Sequence, residues 1–329
     1  MFKESEPFKL VLSRDISKHL KRGNPWVFAD VLEDKPKQKP GTLAHLYTLK
    51  NEFIGTGYYC PSTNLAFRMI VLEEKKVLQN MLKARMEKAL ENKRHLYSAG
   101  ESDSFRLFNG EGDLMPGLVC DVYGEVAVLK LDGEGANGFW QIESVAGWVK
   151  NCGLPIKTVY LKRKNNEEEK GQLLIDGGHD LSQVRFHENG TLFETHIIDA
   201  AKTVFFLDQR DNRELVGRMS QGKTLLNLFG YTGGFSVLAG MGGAAMATTV
   251  DIAPAAITAA QKNWDINGLD PSKHEGITAD AFAWVKEQAT LKRQWDFVIT
   301  DPPSFAPNAK SVENAKNAKF TELQFEQVK

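Results

Sequence analysis

The chain alternates between three patterns of apolar and polar positions, which change near residues 73 and 196. The first block contains short apolar runs of β type, separated by Gly and Pro, which are typical of strands and turns. The predicted strands are Phe8–Leu12, Leu43–Leu49, Phe53–Tyr59 and Ala66–Leu72. Their number and spacing predict a small, mostly β barrel over residues 1–72.

A helical pattern leads out of this block. Apolar residues recur every three or four positions from Val77 to Leu90, which predicts a helix over 73–97 within a linker of residues 73–102. Residues 103–195 then mix strands and a helix, so we interpret them as an α+β central domain. Their clearest signal is Asn189-Gly190 between two apolar runs, because both residues tolerate the positive φ of a hairpin turn.

The third block, residues 196–329, alternates strands with helices. Strands are predicted at Thr224–Phe229, Ala247–Val250 and Phe297–Thr300, with a weaker one near Gly276–Ala279 and a helix over Ala255–Asn267. This rhythm predicts a parallel sheet with helices on both faces, which is a Rossmann-like α/β domain.

A glycine-containing turn follows the first strand of that sheet. The segment runs from Asn227 through Phe229-Gly230-Tyr231-Thr232-Gly233-Gly234 to Ser236. Glycines let the backbone approach a ligand closely, and the helix that follows presents free N–H groups. Such a turn can equally well close a tight strand–helix corner, so by itself it supports both interpretations.

Two acidic residues strengthen the ligand interpretation. Asp251 ends the second strand, about 20 residues past the loop, where a carboxylate can accept hydrogen bonds from ribose hydroxyls. Asp280, followed by Ala281 and Phe282, ends the weaker strand, where it could receive an adenine amino group. Each acid alone fits a helix N-cap better. Together with the loop, they favour a cofactor that contains adenosine.

The segment Asp301-Pro302-Pro303-Ser304-Phe305 follows the strand Phe297–Thr300 directly. Two prolines stiffen the turn and hold the Asp301 side chain and the Pro302 carbonyl at the sheet edge. A flat base can be held there beside a methyl donor. A plain proline-rich loop stop is the less favoured alternative.

Composition narrows the class of protein without naming a function. The 329 residues are 42% hydrophobic and 25% charged, with a net charge of −1, which fits a cytoplasmic protein without a membrane span. Cys60, Cys120 and Cys152 lack metal-binding spacing, so no metal site is expected. Residues 1–70 carry eleven Lys and Arg against seven Asp and Glu, an excess of four. Lys18, Lys21 and Arg22 are therefore a candidate phosphate-contacting face, although a solvated surface explains them too.

The chain resembles, over nearly its whole length, the PUA-domain-containing class I rRNA methyltransferases that make 5-methylcytosine in large-subunit rRNA. The resemblance rests on four segments besides the cofactor loop. They are Arg22-Gly23-Asn24-Pro25-Trp26-Val27-Phe28, Gly55-Thr56-Gly57-Tyr58-Tyr59, the stretch from Asn109 to Leu118 together with Asp121-Val122-Tyr123-Gly124, and the stretch from Lys202 to Arg213. Ala201, just before the last stretch, and Val204 within it stand where the family usually has Gln and Gly.

The resemblance implies the cofactor and its site. The cofactor is S-adenosylmethionine (SAM), and Phe206, Asp208 and Arg210 are implied to line its pocket together with the residues of the loop and the strand ends. The full implied cofactor set is Phe206, Asp208, Arg210, Asn227, Phe229, Tyr231, Thr232, Gly233, Gly234, Asp251, Asp280 and Ala281. RNA, specifically rRNA, is the implied partner, with Lys18, Lys21, Arg22 and Trp26 as its contacts. A homodimer is possible.

The implied reaction begins when an enzyme thiolate adds to C6 of cytosine, which makes C5 nucleophilic. C5 then takes the methyl group, a base removes the C5 proton and the thiolate leaves, with Asp301 holding the pyrimidine edge. The target base must first be unstacked. In the family the nucleophilic cysteine follows the Asp-Pro-Pro motif on a later strand, so we expect it beyond Lys329 and expect the domain to be incomplete at its C-terminus.

Two alternatives remain open at this stage. An RNA guanine N-methyltransferase would use a similar Asp-Pro-Pro-x-Phe loop and needs no cysteine. A non-catalytic RNA-binding protein with a SAM-binding fold would bind RNA without transferring a methyl group. A cysteine beside a serine in a late strand–loop favours the first hypothesis, and its absence favours the guanine enzyme.

Overall fold

The structure is a computed structural model that describes residues 1–73, 78–97, 101–163, 171–198 and 204–302. It divides into two compact units, Met1–Arg210 and Asp211–Lys329. Within the described ranges, no helix is both long enough and apolar enough to cross a bilayer. The bounds of the four segments inferred from the sequence stay predictions.

The first unit begins with a five-stranded mixed sheet. Its elements are β1 (Phe8–Val11), α1 (Ser17–Lys21), β2 (Trp26–Phe28), β3 (Thr42–Tyr47), β4 (Phe53–Tyr59) and β5 (Leu65–Val71). The strand order is β1-β3-β4-β5-β2, so β2 lies at one edge. The apolar positions of these strands share a core with Leu20 of α1 and Val31. The predicted β character of this block is confirmed.

A second five-stranded sheet and a hairpin complete this unit. Its elements are α2 (Leu78–Lys93), β6 (Ser104–Asn109), β7 (Leu118–Tyr123), β8 (Val126–Leu131), α3 (Gly133–Phe139), α4 (Ile142–Lys150), β9 (Thr158–Lys162), β10 (Gln172–Ile175), β11 (Val184–Glu188) and β12 (Thr191–Thr195). The sheet order is β10-β9-β8-β7-β6, and β11 pairs with β12. The turn Asn189-Gly190 has positive φ at both residues, so the predicted hairpin is confirmed.

Three strands of the first unit were not predicted from the pattern of apolar and polar residues. In β6, a bulge between Arg106 and Phe108 breaks the alternation, and Phe105, Leu107 and Phe108 are all buried. The strand β2 has only three residues. The strand β10 lies at a sheet edge and is largely exposed, so it shows no apolar face. The predicted helix over 73–97 is α2, ending at Lys93, and residues 74–77 lie outside the described ranges.

The second unit is a parallel four-stranded sheet with helices around it. Its elements are α5 (Arg210–Met219), β13 (Thr224–Leu228), α6 (Gly234–Met241), β14 (Met246–Asp251), α7 (Pro254–Ile266), β15 (His274–Thr278), α8 (Ala281–Thr290) and β16 (Phe297–Thr300). The strand order is β15-β14-β13-β16. All three strand pairs are parallel, as the strand–helix rhythm predicts. The weakly predicted strand near 276–279 begins two residues earlier, at His274.

The first and last strands of this sheet are joined at their amino ends by a reciprocal pair of residues. The Asp296 carboxylate accepts hydrogen bonds from the Thr224 backbone N–H at 2.6 Å and from its hydroxyl at 2.9 Å. The Thr224 hydroxyl oxygen in turn accepts from the Asp296 backbone N–H at 3.0 Å. These contacts hold the amino ends of β13 and β16 in register.

Candidate cofactor site

The carboxyl ends of all four strands of the second unit meet at one edge of the sheet. Leu228 at the end of β13 is in register with Val250 on one side and Thr300 on the other. Asp251 is in register with Thr278 at the end of β15. The glycine loop, Asp251, Asp280 and Asp301 therefore follow neighbouring strands at the same edge, where open parallel sheets bind ligands.

The glycine loop holds an unusual backbone conformation. Phe229 and Tyr231 have φ values of 56° and 47°, a left-handed region that bulky side chains avoid. Gly233, at φ 75°, is the N-cap of α6, and a Cβ there would lie 2.7 Å from the Ala260 Cβ. Strained non-glycine residues of this kind concentrate at ligand sites, because the surrounding structure must hold them in place.

Asp251 is the residue that fixes the loop to the next strand. Its Oδ2 accepts a hydrogen bond from the Tyr231 backbone N–H at 2.9 Å, and its Oδ1 accepts from the Ala253 N–H at 2.9 Å. Each carboxylate oxygen has further lone pairs that can accept hydrogen bonds from vicinal hydroxyls of a ribose. Burial, and then the charge of Asp251, raises the pKa of Tyr231.

The remaining loop residues are placed by α6 and α7. Thr232 is buried, and its carbonyl accepts a hydrogen bond from the Asn263 side chain at 3.0 Å. Gly234 is the first residue of α6, whose initial N–H groups face outward along the helix axis. Asn227 is 1% exposed and lies beneath Gly230.

Asp280 is the N-cap of α8, the structural role that the sequence offered as the alternative to cofactor binding. Its Oδ1 accepts a hydrogen bond from the Ala283 N–H at 2.9 Å. Ala281 is buried behind it, and the Phe282 ring lies 5.4 Å from the Phe229 ring, centroid to centroid. The cap leaves Oδ2 for a ligand, so an adenine contact by Asp280 stays a prediction.

Asp301 and Pro302 follow β16 directly, and Asp301 is exposed. The register of β16 with β13 places Asp301 beside the start of the glycine loop. The rest of the motif, Pro303-Ser304-Phe305, lies outside the described residues.

The edge fits an adenosine-containing cofactor. Ile252, which the sequence reasoning did not select, is 71% exposed immediately after Asp251. An exposed apolar side chain beside a ribose-binding carboxylate suits one face of an adenine ring. Its only signal in the sequence is an apolar residue directly after the strand-ending acid. No group of three His, Cys, Asp or Glu in the described ranges could hold a metal ion.

Three of the predicted cofactor residues end the first unit. Phe206 is 48% exposed, Asp208 lies on the short 3-10 turn Leu207–Gln209, and Arg210 begins α5. The turn that holds Asp208 packs against β6. The hydrogen bond to Asp121 raises the pKa of Arg106 on that strand, and the negative charge of Asp208 adds to this shift. Their contact with SAM stays a prediction.

Burial makes two of the three cysteines of the first unit, Cys120 and Cys152, poor nucleophiles. Cys120 is completely buried, and burial raises the pKa of its thiol well above the usual value. Burial likewise raises the pKa of the Cys152 thiol. Cys60 is buried and lies 3.3 Å from the Ser62 hydroxyl. A thiol attacks only as the thiolate, which burial disfavours.

The predicted RNA contacts are all exposed, on α1, directly after it and on the edge strand β2. Lys18 and Lys21 are exposed on α1, Arg22 follows that helix, and Trp26 on the edge strand β2 is 43% exposed. The Trp26 indole donates to Glu111 Oε1 at 3.0 Å, which holds the ring in place. Phe28, two residues along the strand and 40% exposed, was missed by the sequence reasoning.

Two family models match this chain. Residues 141–317, more than half of the chain, match the S-adenosylmethionine-dependent methyltransferases. Residues 10–71 match a PUA-like domain.

Similar proteins agree with these matches. A ribosomal RNA large subunit methyltransferase of Deinococcus radiodurans is 32% identical, over 94% of this chain and 78% of the relative. A ribosomal RNA large subunit methyltransferase I of Pseudoalteromonas translucida is 32% identical, over 91% and 76%. Two solved structures superpose with TM-scores of 0.78. One is a candidate SAM-dependent methyltransferase of Streptococcus mutans, 25% identical over 93% of this chain and 81% of that one. The other, a candidate methyltransferase complexed with SAH, is 26% identical over 92% and 77%.

The strand-end acids and the strained glycine loop define a Rossmann-like enzyme that binds an adenosine-containing cofactor. The matched model and relatives make the identification specific: the chain belongs to the S-adenosylmethionine-dependent methyltransferase family. Its fold is the class I methyltransferase fold preceded by a PUA-like domain, and its cofactor is SAM.

Proposed function

We propose that this protein transfers the methyl group of SAM to large-subunit rRNA, and that the acceptor atom is C5 of a cytosine. The observation that carries the proposal is the alignment of the glycine loop, Asp251, Asp280 and Asp301 along one sheet edge. A cofactor site and an exposed carboxylate for the acceptor are neighbours on that edge.

The choice of RNA rests on the relatives and on the surface of the first unit. Several relatives are named as ribosomal RNA large subunit methyltransferases. The exposed cations Lys18, Lys21 and Arg22 can neutralise phosphates, and the exposed ring of Trp26 can stack on an unpaired base.

In the proposed reaction, the residues of the second unit hold the two reactants. The glycine loop and Asp251 hold the cofactor, and Asp280 and Ile252 contribute to its adenine end. Bound SAM supplies an electrophilic methyl group on a sulfonium. The Asp301 carboxylate accepts hydrogen bonds from the donor edge of the pyrimidine, as acidic side chains do from the amino group of cytosine.

The C5 acceptor has a chemical requirement that an amino-group acceptor lacks. A thiolate must add to C6 of the base, which turns C5 into a nucleophile, and must leave after a base has removed the C5 proton. We do not assign this thiolate to Cys60, Cys120 or Cys152, because the first two are buried and burial raises the pKa of Cys120 and Cys152.

The acceptor is tested by trapping. The protein is expressed from its own complete gene and incubated with SAM and large-subunit rRNA that contains 5-fluorocytidine. Fluorine cannot leave C5 as a proton does, so a C5 enzyme remains covalently bound to the RNA, and the adduct survives denaturing electrophoresis. Methyl transfer to ordinary rRNA without an adduct would instead support a nitrogen acceptor. Binding of SAM and RNA without methyl transfer would support the non-catalytic alternative.

The basic face should control the salt dependence of RNA binding. Replacing Lys18, Lys21 and Arg22 with Ala removes up to three phosphate contacts. The slope of log Kd against log salt should therefore become shallower by roughly 2 to 3, at about 0.7 to 0.9 per contact. Fluorescence anisotropy with an rRNA fragment measures this slope. Lys83 and Lys88 on α2, two exposed lysines in helical ion pairs, supply a control double variant with an unchanged slope. An unchanged slope in the triple variant would place the RNA surface elsewhere.

A further inference from the structure

A chain of hydrogen-bonded side chains crosses the second unit beneath the glycine loop. Asn227 donates from Nδ2 to the Ser236 hydroxyl at 3.0 Å, and Ser236 Oγ lies 2.6 Å from Thr249 Oγ1. Thr249 Oγ1 lies 2.9 Å from His274 Nε2, and His274 Nδ1 lies 2.9 Å from Gln261 Oε1. The chain thus links three adjacent strands, β13, β14 and β15, with the helices α6 and α7.

Four of these five side chains are buried, and Gln261 at the outer end is partly exposed. Ser236 and Thr249 are 0% exposed, Asn227 is 1% exposed and His274 is 9% exposed. The His274 ring is stacked on Trp264, with 4.8 Å between centroids and 15° between planes. A buried polar group that loses its hydrogen-bond partner destabilises the fold, so each of these groups depends on its neighbour.

The outer end of the chain fixes the direction of its hydrogen bonds. Gln261 Nε2 donates to the Asp265 carboxylate at 2.9 Å, so the amide oxygen Oε1 faces His274. An amide oxygen only accepts, and therefore His274 Nδ1 carries the proton. Burial lowers the pKa of His274 to about 4, against the opposing charges of Asp265 and Glu275, so the ring is neutral at pH 7.

Each remaining bond then has one possible direction. In the neutral ring, Nε2 is an acceptor, so the Thr249 hydroxyl donates to His274. The Thr249 oxygen must therefore accept from the Ser236 hydroxyl, and the Ser236 oxygen accepts from the Asn227 amide nitrogen. The proton position on a buried histidine of β15 thereby determines which way the Asn227 amide faces.

Asn227 is the residue of this hydrogen-bond chain that lies next to the glycine loop. A Cβ on Gly230 would lie 2.9 Å from Asn227 Nδ2 and 2.5 Å from the Thr249 Cγ2 methyl, so both side chains form the floor under Gly230. Among the residues that the structure describes, none donates a hydrogen bond to Asn227 Oδ1. The amide nitrogen is thus committed to Ser236, and the carbonyl oxygen is the acceptor left over.

We infer that His274 is a positioning residue for SAM binding, which acts through Thr249 and Ser236 to hold the Asn227 amide with its nitrogen against Ser236 and Gly230 and its carbonyl oxygen left as the acceptor for the cofactor. The amino group of SAM is a cationic donor, which a carbonyl oxygen suits and an amide NH2 repels. A reversed amide would present the NH2 group instead.

The test is SAM affinity, measured by calorimetry without RNA, so that it does not depend on the acceptor. Thr249→Val keeps the shape of the side chain and removes the hydroxyl, which breaks the chain at its centre. We expect the Kd for SAM to rise about fivefold to tenfold, the size of one or more lost hydrogen bonds. Thr249→Ser keeps the hydroxyl and should bind SAM within about twofold of the unmodified protein.

Thr248→Val is the matched control. Thr248 is 0% exposed, one residue earlier on the same strand, and its hydroxyl donates to Glu275 Oε2 at 3.1 Å outside the chain. Both Val variants lose a buried hydroxyl, and urea unfolding measures how far each is destabilised. Only Thr249→Val should lose SAM affinity when both are folded.

The double variant shows whether the residues act as a unit. His274→Phe keeps an aromatic ring on Trp264 and removes the acceptor nitrogen. Adding Thr249→Val to His274→Phe should change the Kd less than about twofold, because the chain is already broken. If His274→Phe does not fold, the inference is tested by comparing the SAM affinities of Thr249→Val and Thr248→Val. Equal SAM affinity for the two Val variants, or an additive double variant, would overturn the inference and leave His274 a core residue only.

Discussion

Asp301→Asn should lower the rate of methyl transfer about 100-fold to 1,000-fold, the usual effect of removing one group that stabilises charge in a reacting complex. Asp301 follows β16 at the carboxyl edge and is exposed, so its carboxylate is available to the acceptor base. Asparagine preserves the size and removes the charge. Transfer of a labelled methyl group from SAM to rRNA under single-turnover conditions measures the loss, and the Kd for SAM should stay within about twofold.

The same strand provides the control for this variant. Asp296→Asn makes the identical change at the amino end of β16, where the carboxylate binds Thr224. It should lower the free energy of unfolding and leave the transfer rate of the folded protein unchanged. If Asp301→Asn transferred methyl groups within about threefold of the unmodified rate, Asp301 would not hold the acceptor. A rise in the Kd for SAM would instead indicate that Asp301 contacts the cofactor.

Asp251→Ala should weaken SAM binding about 100-fold or more. The variant loses the acceptor of the Tyr231 N–H, which holds the strained loop, together with the carboxylate offered to the ribose. Hydrogen bonds to a charged group are worth about 1.5 to 3 kcal/mol each, and two of them give this magnitude. Calorimetric titration with SAM measures the effect. Asp251→Asn keeps one acceptor oxygen, so its Kd for SAM should lie between those of the unmodified protein and Asp251→Ala.

Asp270→Ala is the control for Asp251→Ala, because it removes the same charge at a different place in the second unit. Asp270 also accepts a backbone N–H, from Ser272 at 2.9 Å, but it precedes β15 at the opposite edge of the sheet. Its removal should leave the Kd for SAM within about twofold. Binding by Asp251→Ala within about threefold of the unmodified protein would mean that Asp251 neither touches the cofactor nor holds the loop in a conformation that binding requires.

Much of the second unit could be predicted because its signals are local. A largely apolar strand that ends in Asp251 or Thr300 shows in a few consecutive residues, and parallel pairing then brings the strand ends together. The left-handed conformations of Phe229 and Tyr231 could not be predicted, since neither residue type favours them. They are held by the hydrogen bond of the Tyr231 N–H to Asp251 and by the helix α6, which begins directly after the loop.

The parts that escaped prediction depend on partners distant in the sequence. In the sequence, His274 is an ordinary strand residue. Its hydrogen-bond partners Thr249 and Gln261 precede it by 25 and 13 positions, and only the fold brings them next to it. The strand β6 was missed because its bulge removes the alternation. Phe28 on β2 becomes a surface aromatic only when the three-residue strand takes the edge of its sheet.

The pairing of Thr224 with Asp296 has a consequence for how the second unit forms during synthesis. The two residues are 72 positions apart, and β13, the first strand made, lies between β14 and β16, the last of the four described. One side of β13 therefore stays unpaired while α7, β15 and α8 leave the ribosome. At about 5 to 20 residues per second, this exposure lasts roughly 4 to 15 seconds. During that interval the nascent chain offers an open strand edge to chaperones and to neighbouring nascent chains.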